Sequence, residues 1–177
     1  MIKVGINGFG RIGRLAARII LNDYQNKIQL SAINTSGKIE PAGWAHLFKY
    51  DSIYGSYNGD VKADQGAMIV DGTAIPVLGI REPAQIPWGK YGVQIVVEAT
   101  GVFINYEFAK QHLRDTVKKV ILSAPPKDEQ IPVFVSGVNE QSSKEELILS
   151  CASCTTNCAA PVIKVIDENF GIVKAIM

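Results

Sequence analysis

Short apolar runs alternate with amphipathic stretches along the first third of the chain. Val4 to Asn7 is apolar and ends in glycines, and Ile12 to Leu21 carries apolar residues at helical spacing. Ile28 to Ile33 predicts a second strand, and Pro41 to Tyr50 predicts a second helix. This alternation of strand and helix favours a parallel sheet that is covered by helices on both faces.

The middle of the chain has a different pattern. Ala67 to Val70 and Ala74 to Leu78 are short apolar runs on either side of an Asp-Gly-Thr turn, which predicts an antiparallel hairpin. The later predicted elements are strand Val93 to Glu98, helix Tyr106 to Leu113, and strands Val120 to Leu122, Val133 to Val135 and Leu147 to Leu149. The fold class is therefore α/β, a Rossmann-type doubly wound and mainly parallel sheet with a small antiparallel hairpin insertion.

A long helical pattern begins near Ser153 and stops at Gly171. Residues 172–177 then resemble a strand that has no partner in the sequence. We therefore expect one Rossmann-type domain over residues 1–152, and the helix and first strand of a second domain, whose remainder is absent, over residues 153–177.

The charge balance argues against some classes of partner. Lys and Arg (18) nearly equal Asp and Glu (17), so no strong field attracts nucleic acid or an anionic membrane. The N-terminus lacks a signal peptide, and no apolar run is long enough to span a bilayer. Three cysteines within eight positions do not form a disulfide framework. We expect a soluble cytoplasmic protein with neither a nucleic-acid nor a membrane partner.

Gly8, Gly10 and Gly13 form a G-x-G-x-x-G pattern between a predicted strand and a predicted helix. In that context Gly8 allows a tight turn, Gly10 lets the backbone approach a pyrophosphate, and Gly13 lets the helix pack on the strand. The helix N-terminus offers free N–H groups to phosphates. The pattern predicts a dinucleotide site, the alternative being a glycine-rich turn without a ligand.

The usual acidic residue at the end of the second strand is missing. That strand ends in Asn34 and Thr35, and the next acid is Glu40, beyond a glycine turn. Without a carboxylate nothing there repels a 2′-phosphate, whereas Thr35 and Ser36 can donate hydrogen bonds to it and Lys38 adds a positive charge. We therefore predict that the cofactor is NAD or NADP, with NADP tolerated or preferred. The alternative is that Asn34 or a water serves NAD without discrimination.

Cys154 stands where a loop becomes a helix, between Ser153 and Thr155. The positive end of a helix favours the thiolate form of a cysteine, which is the nucleophile. The neighbouring hydroxyls suit a phosphate or a carbonyl oxygen. A placed thiol together with a dinucleotide loop favours chemistry in which sulfur holds a carbonyl carbon while a nicotinamide takes its hydride.

Other interpretations of the cysteines stay open from the residues alone. A buried structural cysteine is the commonest fate of this residue type. Cys151 and Cys154 also form a CxxC pair, which fits a redox couple or half a zinc site. A zinc site needs four ligands, and His46 and His112 lie on separate predicted helices, so we expect no metal. Both histidines are interpreted as ordinary helix residues.

Six motifs in order along the whole chain resemble the phosphorylating glyceraldehyde-3-phosphate dehydrogenase family, over about its N-terminal half. They are Asn7 to Arg14, Lys49 to Ser52, Glu98 to Phe103, Ser123 to Pro125, Gly137 to Asn139 and Ala152 to Cys158. The resemblance implies a nucleotide domain followed by a catalytic domain, a homo-oligomer, and the substrates glyceraldehyde 3-phosphate and inorganic phosphate.

The resemblance also implies roles for matching positions. Cys154 would attack the aldehyde, and phosphate would cleave the resulting thioester, with Ser153, Cys154 and Thr155 binding the substrate. Arg81 would lie at the adenine side of the cofactor. The implied cofactor-binding residues are Gly8, Phe9, Gly10, Arg11, Ile12, Gly13, Asn34, Thr35, Arg81, Thr100, Gly101 and Ser123.

The sequence departs from the family pattern at several points. NAD-dependent members carry an aspartate at the position of Thr35, and Cys151 stands where asparagine or serine is usual. The histidine that pairs with the family's cysteine would lie just past Met177. We therefore expect no appreciable turnover from this chain alone, and exposed apolar surface that favours self-association. The alternatives are a fragment of an erythrose-4-phosphate dehydrogenase, which Thr35 disfavours, and a non-catalytic NAD(P)-binding module.

Overall fold

The computed structural model describes residues 1–176, apart from the side chain of residue 142. Within that part of the chain there are ten strands and four α-helices. The strands are β1 (Ile2–Asn7), β2 (Ile28–Asn34), β3 (Tyr50–Asp51), β4 (Gly55–Ser56), β5 (Val61–Asp64), β6 (Ala67–Val70), β7 (Thr73–Leu78), β8 (Ile95–Glu98), β9 (Lys119–Leu122) and β10 (Ile148–Ser150). The helices are α1 (Arg11–Asp23), α2 (Pro41–Lys49), α3 (Tyr106–Lys110) and α4 (Cys154–Phe170). Short 3-10 helices span Pro83–Gln85, Trp88–Tyr91 and Glu140–Lys144.

Eight of the strands form one sheet in the order β10-β9-β8-β1-β2-β7-β6-β5. The pairs from β10 to β7 are parallel, whereas β7, β6 and β5 are joined by antiparallel pairs. Strands β3 and β4 form a separate two-stranded sheet. The predicted fold class, a doubly wound and mainly parallel sheet with an antiparallel hairpin insertion, is confirmed. The chain order reverses at β1, and ligands of such sheets bind beyond the strand ends at this point.

Two apolar clusters cover the two faces of the sheet. Successive residues of β8 point to opposite faces, so Ile95 and Val97 pack on one cluster while Val96 belongs to the other. The first cluster includes Phe9 and Phe48, from the nucleotide loop and α2. The second cluster is built around residues of the loop before β8 and of β9. Since both faces are covered, polar groups inside the sheet need partners within the protein.

The predicted hairpin is present, and a third strand that the sequence did not predict extends it. Asp71 and Gly72 both have positive φ (48° and 79°), as the two-residue turn between β6 and β7 requires. Strand β5 adds to the far side of β6. Tyr57 closes the insertion, because its hydroxyl donates to Asp71 Oδ2 (3.1 Å) and its ring lies 5.0 Å from the ring of Phe48.

Two predicted strands are corrected. Val133 to Val135 forms only an isolated parallel bridge between Val133 and Ser150. The ladder stops there because the Val135 N–H donates to Asn139 Oδ1 (2.7 Å) instead of to a strand. Residues 172–176 are not a strand either, and Val173 is fully exposed with no neighbouring strand to pair with. Residue 177 lies outside the described residues.

Tyr57→Phe should destabilise the protein by about 1 kcal/mol at neutral pH, because the hydrogen bond to Asp71 is lost. Burial, followed by the hydrogen bond and charge of Asp71, raises the pKa of Tyr57 to about 12. The unfolded chain therefore releases this proton at lower pH than the folded chain does. The resulting stabilisation is fully present below about pH 10 and is lost as pH rises towards about 12.

Urea unfolding measured at pH 7 and at several alkaline pH values checks this prediction. The advantage of the wild type over Tyr57→Phe should shrink above about pH 10. Tyr54→Phe is the matched control, because Tyr54 is 61% exposed and its substitution should leave stability unchanged. An advantage that grows with pH would contradict the prediction.

Candidate active site

A cleft of about 480 Å³ opens where β1, β2, β7 and β8 end. All these strands are parallel, so their carboxyl ends meet at one edge of the sheet, which we call the carboxyl edge. The predicted residues that line the cleft are Gly8, Phe9, Gly10, Asn34, Thr35, Arg81 and Thr100. The described lining also includes Asn7, Ser36, Lys38, Trp44, Ile80, Ala99, Val102 and Phe103.

The glycine loop of the cleft cannot carry side chains at two of its three positions. Gly8 has φ +96°, and a Cβ there would lie 2.6 Å from the backbone nitrogen of Thr100. A Cβ at Gly13 would overlap the carbonyl oxygen of Gly8, so α1 can pack against the loop only with glycine there. These are the roles that the pattern predicted for the two residues.

Gly10 forms the open part of the loop. It is the N-cap residue of α1, and a Cβ built on it would meet nothing within 4 Å. Gly10 lines the cleft and directly precedes the first N–H groups of a 13-residue helix, and a helix N-terminus is a position that receives phosphates. A cradle without side chains beside unpaired helix N–H groups fits the pyrophosphate of a dinucleotide.

The other predicted cofactor residues differ in where they lie relative to the cleft. Phe9 contributes backbone, because its ring is buried between Trp44 and Phe48. Arg11 and Ile12 begin α1 and are exposed beside the loop, outside the cleft lining. Two more of them also lie outside the cleft lining: Gly101, which is exposed, and Ser123, which is half-buried after β9.

The end of β2 lies inside the cleft wall with its polar groups already engaged. Asn34 forms two hydrogen bonds with the backbone of Ile80, through Oδ1 (3.0 Å) and Nδ2 (2.8 Å). Thr35 is buried, and its hydroxyl donates to the carbonyl oxygen of Leu78 (2.9 Å). The hydroxyl hydrogen of Thr35, which the sequence predicted to be free for a ligand, is therefore already donated to another group of the protein. Ser36 and Lys38 are exposed at the same end.

Three neighbouring parallel strands each end in a buried polar residue. Asn7 ends β1 and is in register with Asn34 on β2 and with Glu98 on β8. Asn34 Nδ2 donates to Asn7 Oδ1 (2.7 Å), and Asn7 Nδ2 donates to Glu98 Oε2 (2.5 Å). Glu98 Oε1 accepts the backbone N–H of Thr100 (2.9 Å) and also its hydroxyl. Neither Asn7 nor Glu98 has a role that the sequence predicts, although the sequence does show a polar residue at the end of each of these apolar strands.

His112 differs from its sequence interpretation as an ordinary helix residue. It follows α3, is fully buried, and lies between Trp88 and Glu98. Its Nδ1 accepts from Trp88 Nε1 (3.1 Å), and its Nε2 lies 3.1 Å from Glu98 Oε2. The other histidine, His46, is exposed, and its ring lies 5.0 Å from that of Tyr50.

Cys154 is exposed as the first residue of the 17-residue helix α4. Ser153 is the N-cap, and its Oγ accepts the N–H of Thr156 (3.0 Å). Thr155 is exposed beside the thiol, with its hydroxyl 4.0 Å from the sulfur. The predicted loop-to-helix position of the cysteine is confirmed. None of these residues lines the cleft.

The turn before the thiol is tied to the carboxyl edge. Cys151 N–H donates to the carbonyl oxygen of Leu122 at the end of β9 (2.9 Å). Ala152 has φ 65°, and its N–H donates to Ser150 Oγ (3.0 Å). Asn157 Nδ2 closes the turn on the carbonyl oxygen of Cys151 (2.6 Å). Since β10 is parallel to its neighbours, the thiol emerges at the same edge of the sheet as the cleft.

Cys154 is exposed, so the interpretation as a buried structural cysteine is wrong. All three cysteines are free thiols. Across residues 1–176, no group of three or more His, Cys, Asp and Glu is placed to hold a metal ion. In the same residues we find no helix with the length and hydropathy of a membrane span.

Two family profiles match the sequence. The profile described as glyceraldehyde 3-phosphate dehydrogenase, NAD binding domain, matches residues 2–106. The profile described as the C-terminal domain of the same enzyme matches residues 153–177. The two matches include the glycine loop and Cys154, respectively.

Proteins named glyceraldehyde-3-phosphate dehydrogenase are similar to the chain over its whole length. The one from Debaryomyces hansenii is 49% identical over 177 residues, covering 99% of this chain and 51% of the relative. Those from Bacteroides fragilis and Danio rerio are 46% and 48% identical, each covering 100% of this chain and 52% of the relative. The chain therefore spans about half the length of these relatives.

Alkylation should distinguish the thiol of Cys154 from that of Cys151. Burial raises the pKa of the Cys151 thiol, although the residue as a whole is exposed. At pH 7 we therefore expect iodoacetamide to label Cys154 before Cys151 in the folded chain, as followed by peptide mass spectrometry. In urea, where the burial is absent, the two rates should converge. Faster labelling of Cys151 in the folded chain would contradict this prediction.

Proposed function

The chain belongs to the glyceraldehyde-3-phosphate dehydrogenase family, and on this premise we propose that it provides the dinucleotide cleft and the nucleophilic thiol of an enzyme that oxidises and phosphorylates an aldose-phosphate aldehyde. The observation that carries the proposal is the position of Cys154. Its helix starts at the carboxyl edge of the same parallel sheet whose central strands form the cleft.

In the proposed reaction the Cys154 sulfur attacks the aldehyde carbon of glyceraldehyde 3-phosphate and forms a hemithioacetal. The nicotinamide of a bound cofactor supplies a hydride acceptor. Transfer of the hydride from the hemithioacetal carbon to that acceptor, with release of the hydroxyl proton to water, would leave a thioester on Cys154. Inorganic phosphate then attacks the thioester carbonyl, and the thiolate leaves as the acyl phosphate forms. Thr155 and Ser153 offer hydroxyls to the substrate, although the Ser153 oxygen also caps α4.

The cofactor would be held mainly by backbone and by polar strand ends. The helix N-terminus after Gly10 would receive the pyrophosphate. Thr100 and Arg81 lie at two separate parts of the cleft lining, after β8 and after β7. We assign Arg81 to the adenine side and Thr100 to the nicotinamide half, with Gly101 and Ser123 next to it.

We assign residues 1–152 to the nucleotide-binding domain and residues 153–177 to the catalytic domain. Helix α4 supports this division, since none of its residues is buried. Its exposed apolar side chains are Val162, Ile163, Val165, Ile166 and Phe170. Apolar surface of this extent is normally covered by further protein, which supports a homo-oligomer.

Transfer of an acyl group tests the thiol. The acyl phosphate derived from glyceraldehyde 3-phosphate should acylate the chain at Cys154 and release inorganic phosphate, which is the last step in reverse. We expect a mass increase that maps to Cys154, that hydroxylamine removes, and that is absent from Cys154→Ser. Cys158→Ser is the matched control, because Cys158 is also exposed on α4. No adduct, or an adduct that follows Cys158, would overturn the role of Cys154.

We further propose that the cleft accepts NADP at least as well as NAD. The described lining contains no carboxylate, whereas Lys38 and Arg81 are exposed cations within it. A carboxylate near the adenosine ribose would repel a 2′-phosphate, and cations attract one. Because the Thr35 hydroxyl already donates to Leu78, threonine favours NADP through its lack of charge.

Introducing a carboxylate should reverse this preference. Thr35→Asp and Ser36→Asp should each lower the affinity for NADP relative to NAD by about fivefold, since two unit charges about 4 Å apart in water interact with about 1 kcal/mol. Ser36 is exposed, so its variant tests the charge without disturbing the buried Thr35. Thr35→Val is the control, because it removes the hydroxyl without adding charge and should leave the ratio unchanged. Calorimetric titration with both cofactors measures the ratio. A wild type that binds NAD more tightly than NADP would refute the proposal.

A further inference from the structure

Trp88, His112 and Glu98 form a buried hydrogen-bonded chain directly behind the cleft. The three side chains are 0%, 0% and 1% exposed, and none of them lines the cleft. Their neighbours Asn7 and Thr100 do line it. Trp88, His112 and Glu98 can therefore affect a ligand in the cleft only through Asn7 and Thr100, the residues that they hold in place.

The hydrogen bonds define the tautomer of His112. An indole N–H can only donate, so His112 Nδ1 must accept from Trp88 Nε1. In a neutral imidazole the hydrogen then sits on Nε2, which lies 3.1 Å from Glu98 Oε2 and donates to it. Trp88 thereby selects the tautomer that can bind the carboxylate.

Every group around the Glu98 carboxylate donates. Oε1 accepts the N–H and the hydroxyl of Thr100, while Oε2 accepts from His112 Nε2 and from Asn7 Nδ2. Asn7 is oriented in turn by Asn34, whose Nδ2 donates to Asn7 Oδ1. Two arms, one from Trp88 and one from Asn34, thus direct their donors to the same carboxylate, which satisfies a buried anion and strengthens each bond.

We propose that Trp88, His112 and Glu98 are positioning residues of the dinucleotide cleft, a relay that holds Asn7 and Thr100 in the conformation that binds the cofactor. This inference rests on the proposed cofactor site. Asn7 leads into Gly8, and the backbone nitrogen of Thr100 is the atom that a Cβ on Gly8 would meet first, at 2.6 Å. The relay therefore fixes the glycine loop and the loop after β8 relative to each other.

A substitution that keeps the shape of Glu98 and removes its second acceptor should weaken cofactor binding. Glu98→Gln replaces one carboxylate oxygen by an NH₂ group, which then faces either the Thr100 donors or those of Asn7 and His112. We expect a ten- to hundredfold weaker affinity for NAD in calorimetry. Ile131→Val is the control, because Ile131 is 2% exposed in the same apolar cluster as Trp88 and should leave the affinity unchanged.

Two variants at His112 separate positioning from packing. His112→Gln retains a donor towards Glu98, whereas His112→Leu has none. We expect His112→Gln to keep an affinity for NAD at least threefold higher than His112→Leu, even when urea unfolding shows the two to be equally stable. Equal affinities would overturn the relay, and this comparison remains decisive if Glu98→Gln does not fold.

Trp88→Phe tests the remote end of the relay. It keeps an aromatic ring and removes the N–H, so His112 is no longer confined to one tautomer. Long-range ¹H–¹⁵N spectra should show Nε2–H in the wild type and a changed pattern in Trp88→Phe, together with a severalfold weaker affinity for NAD. If Trp88→Phe changes neither the tautomer of His112 nor the affinity for NAD, the relay is overturned. The cofactor site is not overturned by that result as long as the wild type binds NAD. A wild type that binds neither NAD nor NADP would overturn the proposed function and, with it, the role of the relay.

Discussion

The hydrogen bond between Asn7 Nδ2 and Glu98 Oε2 joins the ends of β1 and β8 at the point where the chain order of the sheet reverses. A buried carboxylate is stable only when donors surround it, so the groups that supply them cannot move independently. The backbone N–H of Thr100 is one of these donors. Asn7 supplies another, and it directly precedes the glycine loop. Burial of one charge therefore sets the shape of the cleft wall before any ligand binds.

Local patterns were sufficient for most of the fold. The apolar run before the glycines became β1, the Asp71-Gly72 turn became a two-residue hairpin, and Gly171 ended α4 with φ 73°. Strand β5 was not predicted because three of the four residues of Val61–Asp64 are exposed and two of the four are charged, as an edge strand allows. Residues 133–135 showed the opposite error. Their apolar pattern fits a strand, but the side chain of Asn139 takes the N–H that would have continued the ladder.

The site was predictable where a residue acts through its own backbone. Gly8 and Gly13 are fixed by steric requirements that any sequence with this loop shares. The roles of Glu98 and His112 depend on partners that are distant in sequence, such as Asn7, which is 91 positions from Glu98. Such contacts exist only after the sheet has formed, so the sequence shows a polar residue at each strand end without showing that these residues bind one another. Thr35 is an intermediate case. The sequence shows that no charge stands at this position, but it does not show that the hydroxyl donates to Leu78.

The backbone is strained at Ala152, two residues before the thiol. A φ of 65° in a residue other than glycine costs about 1 kcal/mol or more, and it persists because hydrogen bonds to Leu122 and Ser150 overdetermine the turn. The strained turn is thus anchored to the sheet, whereas α4 beyond it buries none of its residues. The turn therefore fixes where Cys154 stands relative to the sheet. The ammonium of Lys164 attaches the middle of α4 at a second point, because it donates to the carbonyl oxygens of Gly137 (2.9 Å) and Val138 (3.4 Å). The place of the thiol and the direction of the helix that carries it are thus set by separate parts of the chain.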